Sequence, residues 1–98
     1  MPEDTDYHLY ILLCDNKTLY TGIAINPETR LIQHQQGQPY GAKFTRRFKR
    51  LEIVYQVKVG ARGAAQSLEI KLKKLKRSDK NILIENQPTL NELENMFN

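Results

Sequence analysis

Residues Tyr7 to Cys14 read Tyr-His-Leu-Tyr-Ile-Leu-Leu-Cys and are largely apolar at both parities of an extended chain. Leu9, Ile11 and Leu13 project to one side of a strand, Tyr10 and Leu12 to the other, so neither face can be left to water. Such a strand belongs in the middle of a sheet, with other structure packed on both sides. A chain of 98 residues must meet that demand within one domain and one core. The longest apolar run, Leu9 to Cys14, is six residues, against about 20 for a membrane span, and the start carries Glu3, Asp4 and Asp6 rather than the basic residues of an export signal. Cys14 is the only cysteine, which excludes an internal disulfide and a cysteine-based zinc site. The chain is expected to be cytoplasmic, with no membrane attachment.

The remaining segments supply what the first strand needs. Leu19 to Ile25 reads as its hairpin partner across Asp15-Asn16-Lys17-Thr18, a run of turn residues. Asn26-Pro27-Glu28 starts a helix that Gly37 stops. Gly37 to Arg50 has no clear period and reads as an irregular surface connection, with at least one of Phe44 and Phe48 anchoring it to the core. Leu51 to Val59 is a third strand, with Leu51, Ile53, Tyr55, Val57 and Val59 expected on one face and Glu52, Gln56 and Lys58 on the other around Val54. A helix follows over Ala64 to Arg77, carrying Ala65, Leu68, Leu72 and Leu75 at helical spacing. Ser78 is placed as the cap of a further short helix bearing Ile82 and Leu83. Thr89-Leu90-Asn91-Glu92 resembles a capping box before Leu93, Met96 and Phe97. The fold class that follows is α+β: a ββαβα layered domain with a small three-stranded antiparallel sheet flanked by helices. It is expected over residues 7–86, after an acidic extension at 1–6 and before a helical segment at 87–98 packed on the domain.

Charge is unevenly distributed along this order. The whole chain carries a net +4, yet Lys43 to Lys80 holds thirteen basic residues against Glu52, Glu69 and Asp79, and everything else is net acidic. One strongly positive face suits a phosphate-rich partner such as a nucleic acid, DNA or RNA. Lys43, Arg46, Arg47, Lys49 and Arg50 surround Phe44 and Phe48, a mixture suited to backbone contact with stacking, and Lys71 and Lys74 extend the track. The alternative for those lysines is a solvated helix face.

Five residues can carry chemistry. With an odd-numbered hairpin loop, Tyr10 lies opposite Gly22 and Tyr20 opposite Leu12, on one face, and the glycine leaves open space above a ring whose phenol could meet a ligand. The alternative is a pair of half-buried tyrosines with satisfied hydroxyls. Arg30 and His34, four apart on the first helix, project from one side of it: a planar cationic fork for phosphate and a group that exchanges protons near neutral pH. Glu69 sits beside the Leu68/Leu72 stripe in a lysine-rich helix, as a partner of Lys73 or as a ligand for a hard cation such as Mg²⁺. Cys14 is read as a small core residue, and His8 is given no role.

Leu9-Tyr10-Ile11, Tyr20-Thr21-Gly22, Arg30-x-x-x-His34 and Glu69 occur in an order that resembles the GIY-YIG nuclease superfamily, in particular its small stand-alone bacterial branch of YhbQ-like proteins. The likeness spans roughly residues 7–86 and includes the Gly41-Ala42-Lys43-Phe44-Thr45-Arg46 loop. It departs in His8-Leu9-Tyr10 for Gly-Ile-Tyr and in Thr21 for the middle isoleucine of the second motif. What the resemblance implies is a divalent-metal-dependent endonuclease, weak or structure-selective, in DNA processing or repair. Tyr10, Tyr20, Arg30 and His34 would be its catalytic residues, and Glu69 would hold one Mg²⁺ or Mn²⁺. It also implies a partner protein for substrate recognition, because familiar members join this domain to a separate reading unit. The competing expectations are a non-catalytic nucleic-acid-binding module and a protein-interaction module that docks through Leu93, Met96 and Phe97.

Overall fold

A computed structural model of the chain describes residues 5–36 and 48–98. Strands β1 (Tyr7–Cys14), β2 (Thr18–Ala24) and β3 (Leu51–Gly60) form one antiparallel sheet in the order β2-β1-β3. Helices α1 (Pro27–Gln36), α2 (Arg62–Lys73), α3 (Arg77–Asn86) and α4 (Leu90–Met96) complete the α+β domain. β1 is central, as its two apolar faces demand. Leu9 and Ile11 enter a core with Tyr55, Leu68, Leu72, Leu83 and Leu93 beneath α2, α3 and α4. Tyr10, Leu12 and Cys14 enter a second core with Leu51, covered from α1 by Leu31 and flanked by Phe48. Each fully buried leucine in these cores stabilises the fold by about 1.5–3 kcal/mol before entropy is counted.

Local chemistry fixes the hairpin. Asp15 and Asn16 take left-handed backbone angles, φ 52° and 61°, which these two residue types tolerate better than most. The Lys17 amide donates to the Cys14 carbonyl at 3.1 Å. The loop is three residues long, and the register puts Tyr10 opposite Gly22 and Tyr20 opposite Leu12. The Asp15 carboxylate also accepts from the amides of Lys49 (3.0 Å) and Arg50 (2.7 Å), which holds the chain at its entry to β3. Asn26 caps α1, its Oδ1 accepting from the Thr29 amide at 3.0 Å. The Gly37 stop and most of the expected 37–50 connection, including Phe44, lie outside the described residues. Within them Phe48 packs against the second core, in line with an aromatic anchor for that segment.

Two expectations are corrected. The first concerns β3, whose pairing with β1 slips between Ile11 and Leu12, so that Ile11 pairs with Tyr55 but Leu12 with Ile53. The extra residue, Val54, is a bulge that resets the alternation. Leu51 and Ile53 therefore join the Tyr10 core, while Tyr55, Val57 and Val59 join the other, and the five do not share a face. The second concerns the helix expected over Ala64 to Arg77, which ends at Lys73; α3 begins at Arg77 with Lys76, not Ser78, at its cap position. Continuation would stack Lys71, Lys73, Lys74, Lys76 and Arg77 at three- and four-residue spacings, where like charges repel. The break instead lets Leu75 pack against the first core.

The C-terminal elements are tied down. The Thr89 hydroxyl accepts from the Glu92 amide at 3.2 Å, and the Glu92 carboxylate accepts from the Thr89 amide at 2.9 Å, which closes the capping box. The Tyr55 hydroxyl donates to the Pro88 carbonyl at 2.7 Å. Leu93 is fully buried, Phe97 is half-buried against the same core, and Met96 is exposed. Of the three residues expected on a docking surface, Met96 alone faces solvent.

Candidate active site

The site lies on the α1 side of the sheet. Tyr10 is 1% exposed, and its ring occupies the space over Gly22: a Cβ built on Gly22 would stand 2.7 Å from the Tyr10 Oη, 2.8 Å from its Cζ and 3.1 Å from Cε2 of Tyr20. The glycine does not leave open space above the ring, as its position in the sequence suggested. The phenol fills that space itself, and only a residue without a side chain permits it. The Tyr10 hydroxyl is 3.0 Å from His34 Nε2. Tyr20 stands beside both, its ring centroid 6.4 Å from that of Tyr10 and 5.4 Å, edge-on, from that of His34.

α1 brings in two groups from one turn of helix, as the four-residue spacing requires. His34 is 2% exposed. Burial first, and the Arg30 charge second, lower its pKa to about 4, so at neutral pH it is an uncharged imidazole. Arg30 is half-buried and donates from Nη1 to Gln33 Oε1 at 3.0 Å. Burial is also the main reason the Tyr10 pKa is raised; Tyr20 and Glu69 add to it, while the charge and a hydrogen bond from Arg30 oppose it. The direction of the Tyr10–His34 hydrogen bond follows the His34 tautomer: with Nε2 unprotonated, the Tyr10 O–H donates to it. Tyr20 is likewise raised chiefly by burial, against the charges of Lys73 and Arg30.

Glu69 arrives from the other side of the sheet. α2 buries Ala65, Leu68 and Leu72 and lies against the edge strand β2 as well as β1. From the margin of that stripe the Glu69 charge acts on both tyrosines. Glu69 Oε2 is 3.4 Å from Lys73 Nζ, an i,i+4 ion pair in which the lysine is half exposed and the glutamate side chain 20% exposed. Tyr10, Tyr20, Arg30 and His34 thus meet on the α1 face, and Glu69, from α2, bears on the two tyrosines through its charge. Gln33 was not among them, although its place three residues after Arg30 on the same helix was the available signal.

The donor set can be tested against a divalent cation. Among the described residues no three His, Cys, Asp or Glu side chains cluster as a metal cage. One carboxylate, 20% exposed and 3.4 Å from a half-exposed lysine ammonium, suits a hard ion that keeps most of its own waters, as Mg²⁺ does, and does not suit an ion requiring a full set of protein ligands. Of the basic residues expected to touch nucleic acid, Lys49 and Arg50 are exposed beside the hairpin turn and Lys71 and Lys74 are exposed on and just after α2. Lys43, Arg46 and Arg47 lie outside the described residues. Cys14 is buried and unpaired with any other cysteine, in keeping with a core role. His8 is partly buried, and its Nδ1 has no hydrogen-bond partner among the described residues.

Comparison with known proteins gives the same picture. A family model described as the GIY-YIG catalytic domain matches residues 6–82. A UPF0213 protein of Yersinia enterocolitica is 40% identical over 86 residues, covering 88% of this chain and 87% of that protein. One from Syntrophus aciditrophicus is 38% identical over 81 residues, covering 83% and 92%. Two solution NMR structures share the fold: the EF2693 protein of E. faecalis, at TM-score 0.58 and 33% identity over 88% of this chain and 90% of that one, and the UPF0213 protein BH0048 of Bacillus halodurans, at 0.54 and 27% over 92% and 94%.

Proposed function

This chain belongs to the GIY-YIG catalytic-domain family and to the UPF0213 proteins within its reach, and from that premise we propose that it is a structure-selective DNA endonuclease acting in DNA processing or repair. The family is one of endonucleases that generally use divalent metals. The observation that carries the proposal is the 3.0 Å contact between Tyr10 and a buried, neutral His34, with the Tyr20 ring beside both. Residues 7–86 form the catalytic unit in this reading, with 1–6 as an acidic extension, 87–98 as a packed helical segment, and a cytoplasmic partner protein supplying recognition.

Hydrolysis needs a deprotonated water, a held phosphate and relief of the charge that builds on its oxygens. Arg30 clamps the phosphate with its fork. Tyr10 is too basic as a phenolate to be ionised at neutral pH, so it works as a relay: its oxygen takes a proton from the attacking water while its own proton passes to His34 Nε2. An anionic phosphate beside Arg30 offsets one of the two influences that depress His34, which makes the imidazole a better acceptor once substrate is bound. Tyr20 orients the water from the opposite side. The water oxygen forms the new bond to phosphorus, the bond to the leaving sugar oxygen breaks, and that oxygen is protonated from solvent. Glu69 would hold the Mg²⁺ or Mn²⁺, which when bound neutralises phosphate charge and acidifies water.

The test is incubation with Mg²⁺ or Mn²⁺ and labelled duplex, nicked, flapped and four-way-junction DNA, with an RNA arm. Tyr10→Phe and Glu69→Ala should each lower cleavage by about 10²–10⁴-fold while binding in EDTA persists. Cleavage retained by Glu69→Ala would sink the metal role. Binding by the native protein with no cutting of any substrate would leave a binding module in place of an enzyme.

A further inference from the structure

A cavity of about 330 Å³ opens beside the reaction centre, lined by Leu19, Tyr20, Thr21, Lys73 and Lys80. Two of its five lining residues are cations and none is acidic. One wall is the Tyr20 ring, the same ring that stands edge-on to His34 at 5.4 Å. The two lysines come from different helices, and the fold fixes how they meet. The Arg77 guanidinium donates to the Lys17 carbonyl and, from Nε, to Asn81 Oδ1 at 3.2 Å, which pins the start of α3 to the hairpin; Lys80 lies one turn further along and is half-buried. Lys73 reaches the cavity from α2.

We propose that Lys73 and Lys80 form a subsite for the backbone phosphate next to the one being cleaved, with Leu19 and Tyr20 taking its sugar. This rests on the nuclease reading and names part of its substrate track. Two lysines facing one cavity repel each other unless an anion lies between them. The tie of Lys73 to Glu69 is long and half exposed, so it is weak and yields to a phosphate at small cost. A polymer fits better than a small anion because a second cavity, about 360 Å³, lies further along β2, lined by Ile23, Ala24, Ile25 and Arg30 among others. Gly22 separates the two stretches of β2 that line these cavities.

The experiment measures binding of short labelled duplex DNA in EDTA over a salt series, so that neither metal nor cleavage enters. Each lysine on a phosphate contributes about one unit to the slope of log affinity against log salt. Lys80→Gln and Lys73→Gln should each weaken binding several-fold at low salt and lower that slope by about one, the pair by about two, and Lys80→Arg should restore it. Lys58→Gln removes the same charge from β3, at the other edge of the sheet, where it pairs with Asp6, and should leave the slope unchanged. An unchanged slope in Lys80→Gln while the native protein binds overturns the subsite alone, as does an equal loss in Lys58→Gln. No binding by the native protein overturns the subsite together with the nuclease reading.

Discussion

β1 serves two cores that differ in kind. Its odd residues, Leu9 and Ile11, enter a layer of leucines beneath three helices. Its even residue Tyr10 enters a layer where a hydroxyl, an imidazole and a guanidinium are packed within hydrogen-bonding or ring-contact distance. The first layer gains from excluding water. The second also excludes water, but there the same exclusion raises the pKa of Tyr10 and lowers that of His34. One alternating strand therefore sends leucine and isoleucine to one layer and a hydrogen-bonded tyrosine to the other by side-chain parity.

Substitutions that hit one layer and spare the other sharpen this contrast. Leu72→Ala in the apolar layer should cost about 2–5 kcal/mol in chemical denaturation, with any nuclease activity per folded molecule unchanged; activity falling further than the folded fraction would break the separation. In the reactive layer, acid exposes the burial of His34. Unfolded His34 takes up a proton as pH falls below about 6.5, whereas the folded residue resists until about 4. The unfolded state then binds more protons, so stability should drop across that window by up to about 3 kcal/mol, and His34→Gln should flatten the drop in a series of melts against pH. Gly22→Ala should cost about 1–3 kcal/mol by overpacking. Its larger signature is functional, because Tyr10 can make room only by leaving His34; a variant that cleaves like the native protein would show that the 3.0 Å contact is dispensable.

Much of this was legible in the chain. The two apolar parities of Tyr7–Cys14 required a central strand, the turn residues at 15–18 marked the hairpin while its register rested on an assumed odd-numbered loop, and Thr89 with Glu92 announced the last helix. The order of Tyr10, Tyr20, Arg30, His34 and Glu69 pointed to the GIY-YIG family, whose model matches residues 6–82. Other features depend on tertiary packing that periodicity does not record. Val54 looks like an ordinary strand residue, and its bulge exists because two cores compete for one strand. The lysine run 71–77 reads as uninterrupted helix because Leu75 continues the apolar period across the break after Lys73. The space opposite Gly22 seemed vacant because a sequence shows which residue lacks a side chain but not which neighbour leans into the gap.

The bulge in β3 has a mechanical consequence. Leu51 and Ile53, before it, belong to one layer, and Tyr55, Val57 and Val59, after it, belong to the other, so a single ribbon is clamped at its two ends by opposite halves of the molecule. Loosening either half pulls the ribbon out of the other, which welds the leucine layer and the Tyr10 layer into one cooperative unit that opens all at once.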